Sequence, residues 1–158
     1  MASGLVFFLV KKDTKMSKEL IQQVTAPNGS VFTGSGTNSY LIGREDITLV
    51  DPGPKIDEHI EKLIKLGEGK IKRILVTHTH RDHSPAAKVI GEILNVPLMG
   101  RLVEKDDTLQ DKTFKPERVL GHGDLIETAE YTIESIHTPG HASNHLCFLI
   151  REEKAMLT

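Results

Sequence analysis

The chain has 158 residues, of which 38% are hydrophobic and 27% are charged, and its formal net charge is −2. This length and composition are typical of one soluble domain or of a large part of one. The slightly negative charge argues against a protein that binds nucleic acids by broad phosphate neutralisation, although it is compatible with a local basic patch.

Cys147 is the only cysteine of the chain. A single cysteine excludes a disulfide bond within the chain, and free cysteine is typical of proteins in a reducing compartment. We therefore predict a cytoplasmic location.

The longest apolar run covers residues 4–10. It is far too short to span a bilayer. A signal peptide carries its positive charges before such a run, whereas two lysines follow this one. We therefore predict no signal peptide and no membrane association. Because Met16 offers a second start, we interpret residues 1–16 as an N-terminal extension and residues 17–158 as the N-terminal part of one domain.

Short strands and turns begin this domain. Runs bounded by turn residues predict strands over residues 19–25, 39–42 and 46–50. Their hairpin-like spacing predicts an antiparallel arrangement. Apolar residues at helical spacing predict a helix over 56–66, and a β-branched strand follows over 70–76. Ser84 can cap a second helix that runs to about Leu94, with Pro85 at its first position.

The second half of the chain is predicted to consist mainly of strands. They cover residues 96–99, 131–136 and 146–150, and a further strand begins at 155–158. A turn at 121–124 and a loop at 137–145 separate them, while residues 101–116 are polar and predict no element. The order of strands and helices predicts a mixed α/β domain.

Ligand-type side chains follow the strand at 70–76 in the sequence THTHRDH. His78 and His80 point to the same side of an extended segment, because they are two positions apart. Asp82 and His83 follow at the entrance to the predicted helix, where the chain must turn. Four such side chains within six positions predict a metal site. Zinc, manganese and iron all suit these ligands, and neutral imidazole favours zinc.

A second group of histidines lies in the loop at 137–145. The Pro139-Gly140 pair forces a turn directly before His141, which could present a third imidazole to the same metal. We expect His137 to form structural hydrogen bonds. His145 either orients a ligand or is a partly exposed loop residue.

Four further polar residues lie outside these two groups. Two of them have alternative interpretations, and two are predicted to lie at the surface. Asp51 ends a strand, where it can fix the tautomer of a ligand histidine, stabilise the turn that follows it, or do both. Arg81 can contact an anionic substrate or be a solvated loop residue. His59 and His122 have no partner in the sequence, so we predict that both lie at the surface.

The segment THTHRDH matches the HxHxDH motif of the metallo-β-lactamase superfamily. Three other segments resemble that family in order and spacing, namely GTNSYLI at 36–42, LVDPG at 49–53 and HTPGH at 137–141. The most similar branch contains β-lactamase-like protein 2 and lies near the glyoxalase II-type hydrolases. The resemblance extends from about Val24 to Thr158.

The resemblance implies an αββα sandwich with a dinuclear zinc site at one edge. His78, His80 and His141 would hold the first metal, and Asp82 and His83 would belong to the second. Family members use a metal-bound hydroxide to attack an ester, thioester, lactam, lactone or phosphodiester, which agrees with the ability of two cations to activate water. Asp82 would also be catalytic by orienting that water.

The resemblance covers roughly the first half of a family member, so it implies a C-terminally truncated sandwich. Members carry a later aspartate, usually in a Gly-Asp pair, that bridges the two metals, and a last histidine follows it. Neither residue follows the segment 153–158 in this sequence. Two functions are therefore open. The chain is a hydrolase of small-molecule or phosphodiester substrates with one or two metal ions, or an inactive metal-binding remnant. Uncovered strand edges also predict a homodimer or a swapped assembly.

Overall fold

The computed structural model describes residues 20–103 and 109–158. The predicted N-terminal extension and its apolar run lie outside these residues. The elements in chain order are β1 (Ile21–Thr25), β2 (Asn38–Ile42), β3 (Ile47–Val50), α1 (Asp57–Gly67), β4 (Ile71–Leu75), α2 (Pro85–Leu94), β5 (Leu98–Gly100), β6 (Arg118–Val119), β7 (Leu125–Glu127), β8 (Thr132–His137), β9 (Leu146–Ile150) and β10 (Ala155–Leu157).

The strands form two sheets. The first sheet has the order β1-β2-β3-β4-β5-β6, in which β1, β2 and β3 are antiparallel and β3 to β6 are parallel. The second sheet is antiparallel, with the order β10-β9-β8-β7. The predicted antiparallel start and the mixed α/β pattern are therefore confirmed. The two-residue β6 and three-residue β7 were not predicted, because such short pairings leave no periodic signal.

The central strands β3 and β4 of the first sheet are buried on both faces. Leu49 and Ile74 pack on one side against α1 and α2, whereas their neighbours Val50 and Leu75 pack on the other side against the second sheet. All four side chains have 0% of their surface exposed. This explains why β3 and β4 are continuous apolar runs, as is usual for strands that are covered on both faces. Polar side chains then begin where these strands end.

The two helices lie in one layer, so the described residues form three layers: helices, first sheet and second sheet. Pro85 begins α2 as predicted, but the prediction that the Ser84 side chain caps this helix is wrong. Ser84 has a helical backbone (φ −107°, ψ −22°) rather than the extended one usual for a cap. Its hydroxyl instead donates a hydrogen bond to Asp111 Oδ2 at 2.8 Å.

Two residues of the polar stretch at 101–116, Gln110 and Asp111, make contacts that the sequence did not predict. Gln110 forms an isolated antiparallel bridge with His80, and the Asp111 N–H donates to the Thr79 carbonyl at 2.6 Å. Residues 110 and 111 therefore lie beside the histidine loop. In the described part of the chain, neither helix has the length and the apolar surface needed to cross a membrane.

Candidate metal centre

Both histidine groups lie at the same edge of the two sheets. The loop at 77–83 follows β4 of the first sheet, and the loop at 138–145 joins β8 to β9 of the second. The Leu146 N–H donates to the Thr77 carbonyl at 2.8 Å, which ties the start of β9 to the first loop. Imidazoles that are about sixty positions apart in the chain therefore meet in space.

The structure brings together His78, His80 and His141. Each offers one ring nitrogen, and these three nitrogens lie within 4.8 Å of one another. His80 Nδ1 and His141 Nε2 are 3.1 Å apart, and the ring centroids of His78 and His141 are 5.0 Å apart. The arrangement gives three converging imidazoles, with two buried and one exposed.

His78 has the surroundings of a metal ligand. Its Nδ1 lies 3.0 Å from Thr77 Oγ1, whereas its Nε2 is buried and has no hydrogen-bond partner among the described residues. An unpaired buried nitrogen costs about 1–3 kcal/mol, so such an atom is usually satisfied by another group. Burial, and then the neighbouring His83 and His80, lower the pKa of His78. The ring is therefore neutral, which is the form that binds a divalent cation.

Asp51 is buried and holds two neighbours of the centre. Its Oδ1 accepts the Thr77 N–H at 2.7 Å, and its Oδ2 accepts the Thr77 hydroxyl at 2.6 Å. The same Oδ2 lies 2.8 Å from His83 Nδ1. Burial lowers the pKa of His83, but the charge of Asp51 and this hydrogen bond outweigh burial and leave the pKa raised. Asp51 also adopts a turn backbone with φ 47°, which agrees with a role in the turn, while its role in fixing the tautomer of a ligand histidine stays a prediction.

Asp82 and His83 are adjacent, and the ring centroid of His83 lies 4.2 Å from that of His78. Asp82 Oδ2 lies 3.4 Å from His83 Nε2, and the Asp82 side chain is 37% exposed. Within residues 20–103 and 109–158, no third metal-ligating side chain forms a compact group with this pair. The role of these two residues at a second metal therefore stays a prediction.

Three of the remaining histidines, His145, His137 and His122, have different surroundings. His145 is half-buried, its ring centroid is 5.0 Å from that of His78, and burial lowers its pKa. It lies in the loop at 138–145 and is partly exposed, and its role in orienting a ligand stays a prediction. His137 Nε2 lies 2.9 Å from the Ser143 carbonyl, which agrees with the predicted structural hydrogen bond. His122 is exposed, as predicted.

The prediction that His59 lies at the surface is wrong, because its side chain is only 1% exposed. His59 follows Ile56 by three residues and precedes Leu63 by four, so helical spacing places it on the buried face of α1. Its Nε2 lies 2.9 Å from Ser39 Oγ. The ring lies below the turn after Asp51, since a Cβ built on Gly53 would be 3.5 Å from it.

Sequence reasoning also missed the polar residues between the histidines. Thr77 hydrogen-bonds to Asp51, and Thr79 hydrogen-bonds to Asn144 and Gln110. The available signal was the alternation of threonine and histidine over 77–80, which places the two residue types on opposite sides of an extended segment.

Comparison with known proteins gives the chain a family. A family model described as the metallo-beta-lactamase superfamily matches residues 32–158. An atrochrysone carboxyl ACP thioesterase of Aspergillus chevalieri is 32% identical over 143 residues, which cover 87% of this chain and 44% of that protein. The lactamase-like protein ptaB of Pestalotiopsis fici is 30% identical over 152 residues, which cover 92% of this chain and 46% of that protein. The chain thus spans less than half the length of both relatives.

Solved structures share the fold. BJP-1, a subclass B3 metallo-beta-lactamase of Bradyrhizobium japonicum, has a TM-score of 0.63 at 23% identity, covering 74% of this chain and 51% of that chain. The B3 metallo-beta-lactamase BLEG-1 has a TM-score of 0.65 at 19% identity, covering 86% of this chain and 69% of that chain. The family match and the shared α+β sandwich agree with the predicted resemblance, and the chain belongs to the metallo-β-lactamase superfamily.

Proposed function

We propose that this chain is the histidine-bearing part of a metal-dependent hydrolase, with one cation held by His78, His80 and His141. The observation that carries the proposal is the buried, unpartnered Nε2 of His78 beside two other converging imidazole nitrogens. Three neutral imidazoles suit zinc, while manganese and iron are the alternatives. When bound, a divalent cation would lower the pKa of a water and polarise the group under attack.

The chain's own residues would prepare the centre for this chemistry. The Asp51 carboxylate can only accept, so its hydrogen bond with His83 places a proton on His83 Nδ1. The other ring nitrogen, Nε2, faces Asp82. We infer that Asp82 and His83 contribute to a second cation. The partly exposed carboxylate of Asp82 can also orient the attacking water and accept its proton.

A thioester is the substrate class that we expect first. One relative is named an ACP thioesterase. The edge that carries the centre also carries the loop at 26–37. This loop joins the end of β1 to the start of β2. Because β2 is antiparallel to β3, the start of β2 lies beside the end of β3, directly before Asp51. This loop exposes 94% of both Val31 and Phe32. Two exposed apolar side chains suit the acyl part of a thioester better than they suit a phosphodiester.

A metal-binding protein without turnover is the second candidate. The observation that favours it is that, among the described residues, no third ligand forms a compact group with Asp82 and His83. In that case the three histidines would bind one cation, and substrates would not be hydrolysed. The cytoplasmic location, the homodimer and the domain boundary at residue 16 stay predictions.

Zinc titration calorimetry tests the metal centre. We expect the metal-free chain to bind zinc, His78→Ala/His80→Ala to lose that binding, and His122→Ala to keep it. His122 is the control because it is an exposed histidine away from the centre. Binding that survives in the double variant would exclude the centre.

A substrate panel then separates the two candidate functions. It contains thioesters with short and long acyl groups, a lactone and bis-nitrophenyl phosphate, each with added zinc or manganese. Hydrolysis that is lost in His80→Ala supports the enzyme, and faster hydrolysis of long-chain thioesters supports the substrate class. A zinc-binding chain that hydrolyses nothing in the panel is the non-catalytic protein.

A further inference from the structure

The three converging histidines come from loops of two different sheets. His78 and His80 directly follow β4, whereas His141 lies in the loop that joins β8 to β9, and its side chain is exposed. A working metal site requires its ligands to be held within about 0.5 Å of their productive positions. Between the histidines of the two loops, His80 Nδ1 and His141 Nε2 lie 3.1 Å apart. Contacts behind the ligands must therefore fix the second loop.

Asn144 makes such a contact. It lies three residues after His141 in the same loop, and its side chain is completely buried. Its Nδ2 donates hydrogen bonds to the Arg101 carbonyl and to Thr79 Oγ1, both at 2.9 Å. Because a carbonyl can only accept, the bond to Arg101 fixes which end of the amide is the nitrogen. The donor end therefore faces the first histidine loop.

Thr79 receives this bond between the two ligands of the first loop. Its hydroxyl donates to Gln110 Oε1, so its proton is committed and its lone pairs are available to Asn144. His78 and His80 flank Thr79 in the sequence, and alternate side chains of an extended segment point to opposite sides. The bond from Asn144 thus acts from behind the ligands and does not occupy the space for the cation.

We propose that Asn144 is a positioning residue for the metal centre, which holds the loop of His141 against His78 and His80 through Thr79. The inference rests on the proposed metal-binding function. Groups that hydrogen-bond behind metal ligands typically change metal affinity by about 10–100-fold when they are removed. The Asn144–Thr79 pair has the burial, the fixed polarity and the position between both loops that this role requires.

The test compares zinc affinity and cobalt spectra of five proteins. We expect Asn144→Ala and Thr79→Val each to weaken zinc binding about 10–100-fold. Both should also change the visible cobalt spectrum at saturating cobalt, which reports ligand geometry. Thr79→Ser keeps the hydroxyl and should restore both properties. Ser143→Ala is the matched control, because it changes an exposed neighbour in the same loop.

A merely structural role gives a different result. It would lower the unfolding temperature of the metal-free variants while leaving the saturated cobalt spectrum unchanged, and this outcome would overturn the proposal. If Asn144→Ala does not fold, the Thr79→Val and Thr79→Ser pair decides by the same two measurements.

A metal-free readout separates this inference from the proposed function. The ring ¹⁵N shifts of His80 and His141 report their mutual contact, and the shift of His122 serves as reference. We expect Asn144→Ala to move the first two and not the third. If the unmodified chain binds no metal, the proposed function fails, and unmoved His80 and His141 signals independently overturn the positioning role.

Discussion

The two ends of the sheets use polar side chains in opposite ways. The tyrosine end lies where β3 and β8 begin and comprises Asp46, Thr48, Arg73, Glu130 and Tyr131. The histidine end lies where β3 and β8 finish and comprises Asp51, His78, His80, His83 and His141. A single strand, β3, connects Asp46 at one end with Asp51 at the other.

Polar groups at the tyrosine end satisfy one another. The Tyr131 hydroxyl donates to the Asp46 carbonyl at 2.6 Å and lies 2.8 Å from Thr48 Oγ1. Both nitrogens of the Arg73 fork donate to the Asp46 carboxylate, at 2.6 and 3.1 Å. Gly43 is required beside them, because with φ 105° it leaves room for the Tyr131 ring, which a Cβ would approach to 2.6 Å. This end therefore joins the two sheets.

Imidazoles at the histidine end face one another instead. His78 Nε2 has no partner among the described residues, although it is buried. A fully satisfied polar group contributes to stability, while a buried unsatisfied one requires an explanation, of which a bound ion or water is one. The comparison thus separates an end whose polar groups are paired across the two sheets from an end whose imidazole nitrogens converge. The following substitutions test that separation.

Tyr131→Ala should have the largest effect on stability. The side chain is 1% exposed, and removing a buried aromatic ring typically costs about 3–5 kcal/mol of the free energy of unfolding. Tyr131→Phe keeps the ring and should cost only about 1–3 kcal/mol, because it removes the hydrogen bonds of the hydroxyl. Urea unfolding of the metal-free proteins measures both. The folded variants should bind zinc as the unmodified chain does, and a parallel loss of affinity would show that the two ends are not separable.

Sequence reasoning predicted most of the fold because its signals are local. The apolar runs of β3 and β4 and the helical spacing of α1 arise from burial, which affects every residue of an element. The HxHxDH spacing likewise placed His78 and His80 on one side of a short segment. His59 had a usable signal too, since its spacing from Ile56 and Leu63 marks the buried face of the helix.

Contacts between distant segments could not be predicted in this way. The bond from Asn144 to Thr79 joins residues 65 positions apart, and no local pattern distinguishes such an asparagine from one in a solvated loop. The Ser84 hydroxyl was expected to cap its own helix, but Asp111 competes for it across the fold. Long-range partners therefore decide which of several plausible local roles a polar side chain takes.

Asp51→Asn should have an intermediate effect and sharpen the comparison. Asp51 is the fully hydrogen-bonded member of the histidine end, with bonds to Thr77 and His83. Because these partners all donate to Asp51, the NH₂ group of an asparagine would place a donor against a donor, and the tautomer of His83 would no longer be fixed. We expect zinc affinity or thioester hydrolysis to fall by about 10–100-fold.

The matched control for this substitution is Asp46→Asn, at the other end of β3. It weakens the ion pair with Arg73 and should lower stability while leaving zinc affinity unchanged. Equal effects of the two substitutions on zinc affinity would contradict the assignment of functions to the two ends.

Glu130→Gln should have the smallest effect, and its effect should depend on pH. Glu130 Oε2 accepts three backbone N–H bonds, from Arg44, Glu45 and Asp46, at 2.9–3.0 Å. These bonds, that of Asp46 foremost, lower the pKa of Glu130 below the model-compound value of 4.5.

A carboxyl group whose pKa is lowered by folding contributes stability above its unfolded pKa and loses it as the pH falls through its folded pKa. Chemical unfolding at several pH values should therefore show the unmodified chain more stable than Glu130→Gln at pH 7. The difference should shrink as the pH falls below the unfolded pKa and vanish below the lowered folded pKa, while zinc binding at pH 7 is the same for both. A difference in stability that persists unchanged into acid would mean that the charge of Glu130 does not hold the hairpin between β2 and β3, and that the tyrosine end depends on Tyr131 and Arg73 alone.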